Sequence, residues 1–431
     1  MTVLPNLQVK PNRFFGKYVV LAAFTLAIFG WGVGFYGPPI FLYSVVERTG
    51  WSLGFVSGVV TVHFLVGALV IANLPLLYKR FGLPRVTSSG ALSLAVGILE
   101  WSLATEQWQL VIAALLTGAG WVTMGAAALN AIVSPWFVRT RPAALSTAYN
   151  GASIGGVILS PVWAALIAHY SFTFAAVLIG TAMVLVVLTL SFSIFSKTPD
   201  LLGQAPDGDV PGRACANGSG LPTARPLAGP LLWRDRAFLT LAAGMALGLF
   251  AQIGLVAHLY SVLVPALGER TAGFAMALAT ACAVGGRILV GRTMPERADR
   301  RLVTSVSYGV QLAGSLVLLA SGGERVPLLI VGIVLFGAGI GNATSLPPLI
   351  AQKEFADADV QRVVSLIVAV GQATYAFAPV GFGLLRGFAP QVLGFPAAGI
   401  AALFFAVAVI QGLAIASFLA GRHMPDRRNK D

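Results

Sequence analysis

Arg287 is the residue whose surroundings most need a chemical explanation. It stands inside the apolar run Ala272–Arg292, about five residues before the next charge. A helical rise of about 1.5 Å per residue puts its guanidinium roughly 7–8 Å from the charged end of that run. At such a depth in a membrane an arginine costs between about 2.5 and more than 10 kcal/mol. It must therefore face protein, a counter-charge or water. Two readings stand: a guanidinium on a water-filled path that meets an anionic or polar substrate, or a structural group that snorkels to the surface or caps helix carbonyls.

Other polar and aromatic residues fall at membrane depth in the apolar runs. Trp31 and Tyr36 precede a Gly37-Pro38-Pro39 break, which removes two backbone donors and disturbs a helix. Trp121, Asn130, Tyr149, Asn150, Gln252, His258, Asn342, Thr344, Gln372 and Tyr375 follow. With Arg287, these supply candidates for substrate binding: Tyr149 and Asn150 to orient by hydrogen bonds, and Trp31, Tyr36 and Trp121 to pack on an apolar body. Gln252, His258, Asn342, Gln372 and Tyr375 complete the set. Two titratable groups are candidates for proton coupling, His63 and Glu100. For His63 the plain alternative is a neutral ring bonded to a neighbouring helix, and for Glu100 an interfacial carboxylate.

Nothing in the chain suggests catalysis, a cofactor or a metal. There is no phosphate-cradling lysine loop, nucleophile elbow or histidine–carboxylate metal spacing. Gly118-x-Gly120 and Gly337-x-Gly339-x-Gly341 lie inside apolar runs with no preceding strand, so helix packing explains them. Cys215 and Cys282 form no disulfide framework. Asn217-Gly218-Ser219 has the form of a glycosylation acceptor but falls on the cytoplasmic side of the topology below. Uphill work would then need an ion or substrate gradient.

The elements that position these residues follow from composition. Of 431 residues 57% are hydrophobic and 10% charged, against about 25% charged in a soluble domain. The 49 glycines suit membrane helices, which approach closely at small residues. The net charge of +12 is scattered over short loops, which argues against a nucleic-acid surface. Apolar runs at about 18–46, 53–77, 86–104, 108–133, 142–167 and 172–195 precede a polar segment, Ser196–Arg236, rich in Pro, Gly and Asp. Six more follow at about 237–264, 271–291, 301–321, 326–350, 360–385 and 395–420. The first is too long for a signal-peptide core and is read as a retained span.

Twelve spans with both termini inside put nearly all of the 28 Lys and Arg on the cytoplasmic side. Only Arg48, Arg270, Arg325 and Arg386 fall in outer loops, and Arg287 within a span. That bias sets the orientation in a bacterial-type inner membrane.

The two halves also echo each other in order. Leu42–Val45 recurs as Leu259–Val262, Glu47-Arg48-Thr49 as Glu269-Arg270-Thr271, and Gly54-Phe55 as Gly273-Phe274. Gly118-Ala119-Gly120 recurs as Gly337-Ala338-Gly339, and Pro161-Val162 as Pro379-Val380. The expected fold is an all-α membrane protein of twelve transmembrane helices in two pseudo-symmetric six-helix bundles. Its units would be an N-terminal lobe over 1–195, a cytoplasmic linker over 196–236 and a C-terminal lobe over 237–431. In two-lobed carriers of this kind the substrate site lies between the lobes near the membrane centre.

Between the fourth and fifth runs, Ser134–Gly156 carries Trp136, Phe137, Arg139, Arg141, Pro142, Ala144, Gly151 and Ser153. An aromatic pair, a basic turn and a small-residue helix resemble the fifth-helix signature of the monocarboxylate and oxalate–formate transporter families of the major facilitator superfamily. Arg287 falls where those families keep an eighth-helix arginine associated with substrate carboxylate. The resemblance has departures. Pro39 and Ala283 stand where animal monocarboxylate transporters keep a lysine and an aspartate, and Lys79-Arg80-Phe81-Gly82 lacks the acid of the superfamily's loop signature. Ala114 stands near the arginine of drug–proton exchangers.

The resemblance implies a secondary transporter working by alternating access, not an enzyme. It would be a monomer in the lipid bilayer that carries a small organic anion. A planar heteroaromatic vitamin of the riboflavin type is the alternative cargo. A non-transporting membrane sensor would need a signalling module, which the linker and tails do not contain.

Overall fold

The computed structural model describes residues 14–208, 229–295, 298–355, 357–395 and 397–422. Lys10, Arg13, Cys215 and the Asn217-Gly218-Ser219 triplet lie outside them. Twelve apolar helical spans run through the described chain. In order they are Gly16–Thr49, Leu53–Phe81, Leu83–Leu103, Gln107–Trp136, Arg141–His169 and Phe172–Phe195, then Arg236–Leu267, Glu269–Thr293 and Arg300–Ser321. The tenth is a shorter apolar helix, Val326–Ile340, continued after a turn by Leu346–Glu354. Arg362–Leu393 and Ala398–Ala420 complete the set. Spans one to six form one bundle and seven to twelve the other. An even number of crossings puts residues 14 and 422 at the same end, called here the terminal end.

Several spans are interrupted, and the interruptions carry polar residues. The first bends at Phe35–Gly37 between Gly16–Gly34 and Pro38–Thr49. The fourth passes through a 3-10 turn, Val122–Met124, and resumes at Ala126. Asn342 and Thr344 sit in the turn that splits the tenth span, not on the continuous helix expected there. Runs of apolar residues hide such breaks: no proline adjoins Gly125, and Pro347-Pro348 after the Gly341 turn lie within an apolar run. A second correction concerns Arg386. It lies within the helix Ala378–Leu393, not in an outer loop, because Phe388, Ala389, Val392 and Leu393 keep that segment apolar beyond the charge.

The sequence echoes coincide with helix contacts. Gly118 leaves no room for a side chain against the His63 carbonyl of the second span, and Gly337 sits against Ala279 O of the eighth. Gly120 packs on the backbone of Gly90 in the third span, and Gly339 on that of Ser307 in the ninth. Equivalent glycines thus serve equivalent helix pairs, which is the packing role small residues have in membranes.

The seam between the bundles uses the same repeats. Span five packs on span eight, and span two on span eleven. A Cβ on Gly54 would come within 2.9 Å of Leu384, and one on Gly273 within 2.5 Å of Ala164. Tyr43 and Tyr260, the tyrosines of the repeated Leu-Tyr-Ser-Val, meet edge to face with centroids 5.5 Å apart. Thr61 Oγ1 accepts from Val380 N at 3.2 Å. These contacts all belong to the halves of the spans remote from the terminal end, so the bundles are joined there.

At the terminal end the second bundle is stapled by Arg301, which is 1% exposed. Its Nε and Nη2 donate to the two Glu354 oxygens at 2.7 and 2.8 Å, and further N–H groups reach Thr240 Oγ1 and the carbonyls of Ala237 and Phe418. One side chain therefore ties spans seven, nine, ten and twelve. Arg48 plays a comparable part at the remote end of the first bundle, donating to the carbonyls of Trp101, Ser102 and Ala104 where span three ends.

Candidate functional site

Where the two bundles meet at mid-depth, three spans converge on one small side chain. A Cβ on Gly156 of span five would lie 2.7 Å from the Tyr36 ring and 2.9 Å from Thr280. Tyr36 lies in the bend of the first span, between Gly16–Gly34 and Pro38–Thr49. The Tyr36 hydroxyl hydrogen-bonds the Thr280 side chain. A cavity of about 20 Å³ opens beside the pair, lined by Tyr36, Gln252, Thr280 and apolar neighbours. It has room for a water molecule.

Arg287 lies two helical turns from Thr280 on the same face of span eight. Spans five and eight run antiparallel, with Ala164 against Gly273 and Gly156 against Thr280. Continuing that register two turns brings Arg287 level with Tyr149. Arg287 Nε donates to Gly341 O at 2.9 Å. That carbonyl belongs to the split in span ten, and the close approach depends on Gly341, whose missing side chain leaves room beside Ala283 O. The guanidinium is half-buried, and among the described residues its terminal nitrogens have no hydrogen-bond partner and no carboxylate in ion-pair range. A structural arginine such as Arg301 uses all its N–H groups; Arg287 uses one.

The first bundle supplies aromatic surface. Trp31 meets Trp121 and Tyr149, each edge to face at 6.3 Å. Tyr149 donates to Ala126 O at 3.1 Å and accepts from Asn130 Nδ2 at 2.7 Å. Asn130 and Asn150 are exposed on the terminal side of this group. Phe35 and Phe64 extend it, and Phe64 touches Tyr375 of span eleven at 5.9 Å across the seam.

The structure thus brings Trp31, Tyr36, Trp121 and Tyr149 into one group, with Gln252 on the adjoining cavity and Arg287 at the level of Tyr149. Gln372 is half-buried one turn before Tyr375. Asn342 is 2% exposed and donates to Gly286 O at 3.5 Å, holding the split of span ten against span eight.

His63 and His258 have fixed partners instead of open faces. Pro38 has no N–H to give the Gly34 carbonyl four residues back, and His63 Nε2 meets that carbonyl at 3.0 Å. Its Nδ1 is 2.9 Å from Thr117 Oγ1, and its ring stacks on Trp121. His258 Nε2 bonds Pro379 O at 3.0 Å, and Arg386 Nη1 faces its Nδ1 at 3.3 Å while donating to Ser261 Oγ at 2.7 Å. Both carbonyls accept, so both rings carry their proton on Nε2. Glu100 stands near the remote end of span three, which packs on spans two, four and six. The structure does not bring it to the arginine.

Two features of the site escaped sequence reasoning. One is the Gly341 carbonyl, visible only once span ten is seen to break. The other is the pair Gln311 and Gln411, both 0% exposed, which stand behind Gln252. Their signal was available, since each is a lone amide in an apolar run.

Comparison with known proteins adds the following. A profile of the Major Facilitator Superfamily matches residues 19–379. The MFS transporter asaE of Aspergillus flavus is 26% identical over 281 residues, which cover 64% of this chain and 58% of that relative. The nucleoside transporter NupG has a TM-score of 0.71 at 11% identity, covering 94% of this chain and 100% of that one. A bacterial homologue of the human lysosomal transporter Spinster, crystallised inward-facing and occupied, also reaches 0.71, at 14% identity with 96% and 100% covered. The D-xylose-proton symporter gives 0.67 at 13% identity, with 94% and 97% covered. At these identities the solved structures attest the fold alone.

Proposed function

The chain belongs to the Major Facilitator Superfamily, and from that premise we propose that it carries a small organic anion, a monocarboxylate in the simplest case, by alternating access. One observation carries this reading. Arg287 is a half-buried guanidinium with, among the described residues, a single internal hydrogen bond and no acid in ion-pair range. A charge held there without a counter-ion is costly, and an anionic ligand removes that cost. The Nε bond to Gly341 O holds the fork while Nη1 and Nη2 remain for the two oxygens of a carboxylate, the bidentate geometry arginine favours.

The rest of the site divides by bundle. The second offers donors, Arg287 and the Gln252 amide; the first offers the aromatic surface of Trp31, Trp121 and Tyr149. A ligand with a charged head and an apolar body satisfies both. That aromatic surface also favours a second cargo, a planar heteroaromatic of low charge held by stacking.

The remaining assignments belong to the same proposal. The terminal end is cytoplasmic, in an inner (plasma) membrane, and the lobes are 1–195 and 237–431 with 196–236 as linker. The carrier works as a monomer. The bundles are joined at the remote end while Asn130 and Asn150 are exposed on the terminal side, which suits a carrier presenting its site to the cytoplasm.

A competition panel in proteoliposomes decides the cargo. Inhibition of uptake by short carboxylates, lost in Arg287→Ala, supports the anion; inhibition by uncharged heteroaromatics alone transfers the site to the second reading.

A further inference from the structure

Behind the cavity wall, three glutamines cross the second bundle in a line. Gln411 of span twelve donates from Nε2 to Gln311 Oε1 at 3.4 Å, and Gln311 of span nine donates from Nε2 to Gln252 Oε1 of span seven, also at 3.4 Å. Gln311 and Gln411 are fully buried, and Gln252 lines the cavity beside Tyr36 and Thr280. Room for the Gln311 stem comes from Gly339, where even a Cβ would collide with it. We infer that Gln311 and Gln411 are positioning residues that hold the Gln252 amide with its oxygen turned away and its NH2 turned to the substrate cavity. Resting on the anion reading above, this makes the second bundle's face of the site a surface of donors.

The direction of the ladder follows from its buried end. As it stands, Gln411 leaves its Oε1 and one of its two N–H groups without a partner among the described residues. Reversing all three amides would bury the two N–H donors of Gln411 unpartnered, and buried orphan N–H groups are rarer in proteins than under-satisfied carbonyls. Gln252 Nε2 has no partner among the described residues and is not among the sealed, unpartnered atoms, so it is open to the cavity. A chain of amides aligned in one sense also polarises its end donor. Carboxylates are thereby favoured over their neutral amides, and ligands that present only donors are disfavoured.

Two measurements on the full-length protein separate this inference from the reading it rests on. The first is proton exchange of ¹⁵N-labelled glutamine side chains in detergent, with signals assigned by Gln252→Leu, Gln311→Leu and Gln411→Leu. The Gln252 amide should exchange fast and the other two slowly; a Gln252 amide as protected as its neighbours overturns the orientation, whatever the cargo. The second is binding of radiolabelled benzoate with benzamide as competitor. Gln311→Leu/Gln411→Leu, which leaves only the cavity-lining Gln252 amide without its tether, should bind benzoate about ten-fold more weakly, the worth of one hydrogen bond to a charged group, with benzamide competition unchanged. Equal benzoate affinity in that variant and the wild type overturns the inference. A wild type that binds no benzoate counts against the anion reading and leaves the exchange result to decide the ladder.

Discussion

Two arginines of the second bundle, Arg301 buried and Arg287 half-buried, differ in role, and their hydrogen bonds tell them apart. Arg301 spends its N–H groups on Glu354, Thr240 and two carbonyls, so its removal takes the buried donor away from acceptors on three other spans. Arg301→Ala should cost about 1–3 kcal/mol of stability, as leaving such acceptors unsatisfied does, seen as a drop in thermal unfolding temperature in detergent. Wild-type stability in that variant would refute the staple. Arg287→Lys should leave stability nearly intact but weaken anion binding by about ten-fold or more, because lysine keeps the charge and loses both the Gly341 tether and the fork. Undiminished binding in Arg287→Lys would show that the fork is not used. Depth in an apolar run singled out Arg287 from sequence, whereas Arg301 passed as a surface charge because it begins a span. What separates them is the company each keeps, and pairing between distant spans is not written in local sequence.

At the scale of elements, the break in span one and the histidine of span two form a single device. Pro38 removes the donor that would have bonded Gly34 O, and His63 replaces it. His63→Leu should therefore destabilise by about 1–3 kcal/mol, the cost of an orphaned carbonyl. In a Pro38→Ala background the restored N–H should shrink that penalty by about 1 kcal/mol or more, a coupling read from a double-mutant cycle of unfolding. Additive penalties would show that the two do not share the carbonyl. The prolines marked this break in the sequence, so it was legible. The break in span four lacks such a marker, and the one in span ten carries it only after the turn, as Pro347-Pro348.

A second device joins the segment after span six to the first bundle. Asp207 accepts from the N–H groups of Val138, Arg139 and Thr140 at 3.0, 2.8 and 3.2 Å and from the Thr140 hydroxyl at 2.5 Å. Burial alone would raise its carboxyl, but these bonds outweigh burial and hold it at about 2, below the ordinary 3.8. A depressed folded value means the stabilisation is complete above pH 3.8 and is lost only as pH falls toward 2. Proteolytic nicking near Asp207 should accordingly be constant from about pH 5 to 8, where the carboxylate is charged throughout. It should rise at every pH in Asp207→Asn. Nicking that accelerates between those pH values in the wild type would contradict the clamp.

For the whole molecule, the twelve spans, their division and the internal repeat were readable because bilayer thickness and duplication leave periodic marks. The repeats proved to be contact points: Gly54 and Gly273 at the two seams, and Tyr43 against Tyr260. What the sequence could not supply was which faces of the spans turn toward the seam, since that depends on contacts between distant spans. Gly273→Leu should hold the remote seam apart and slow uptake at least about ten-fold without unfolding either bundle, because a Cβ there already meets Ala164 at 2.5 Å. Normal turnover would mean the seam tolerates opening. If the unpaired guanidinium between the bundles selects a carboxylate, equilibrium binding to the wild type and to Arg287→Ala separates benzoate from benzamide. The variant should lose benzoate by at least about ten-fold and keep whatever affinity the wild type has for benzamide; benzoate bound equally by both proteins would refute the role of Arg287.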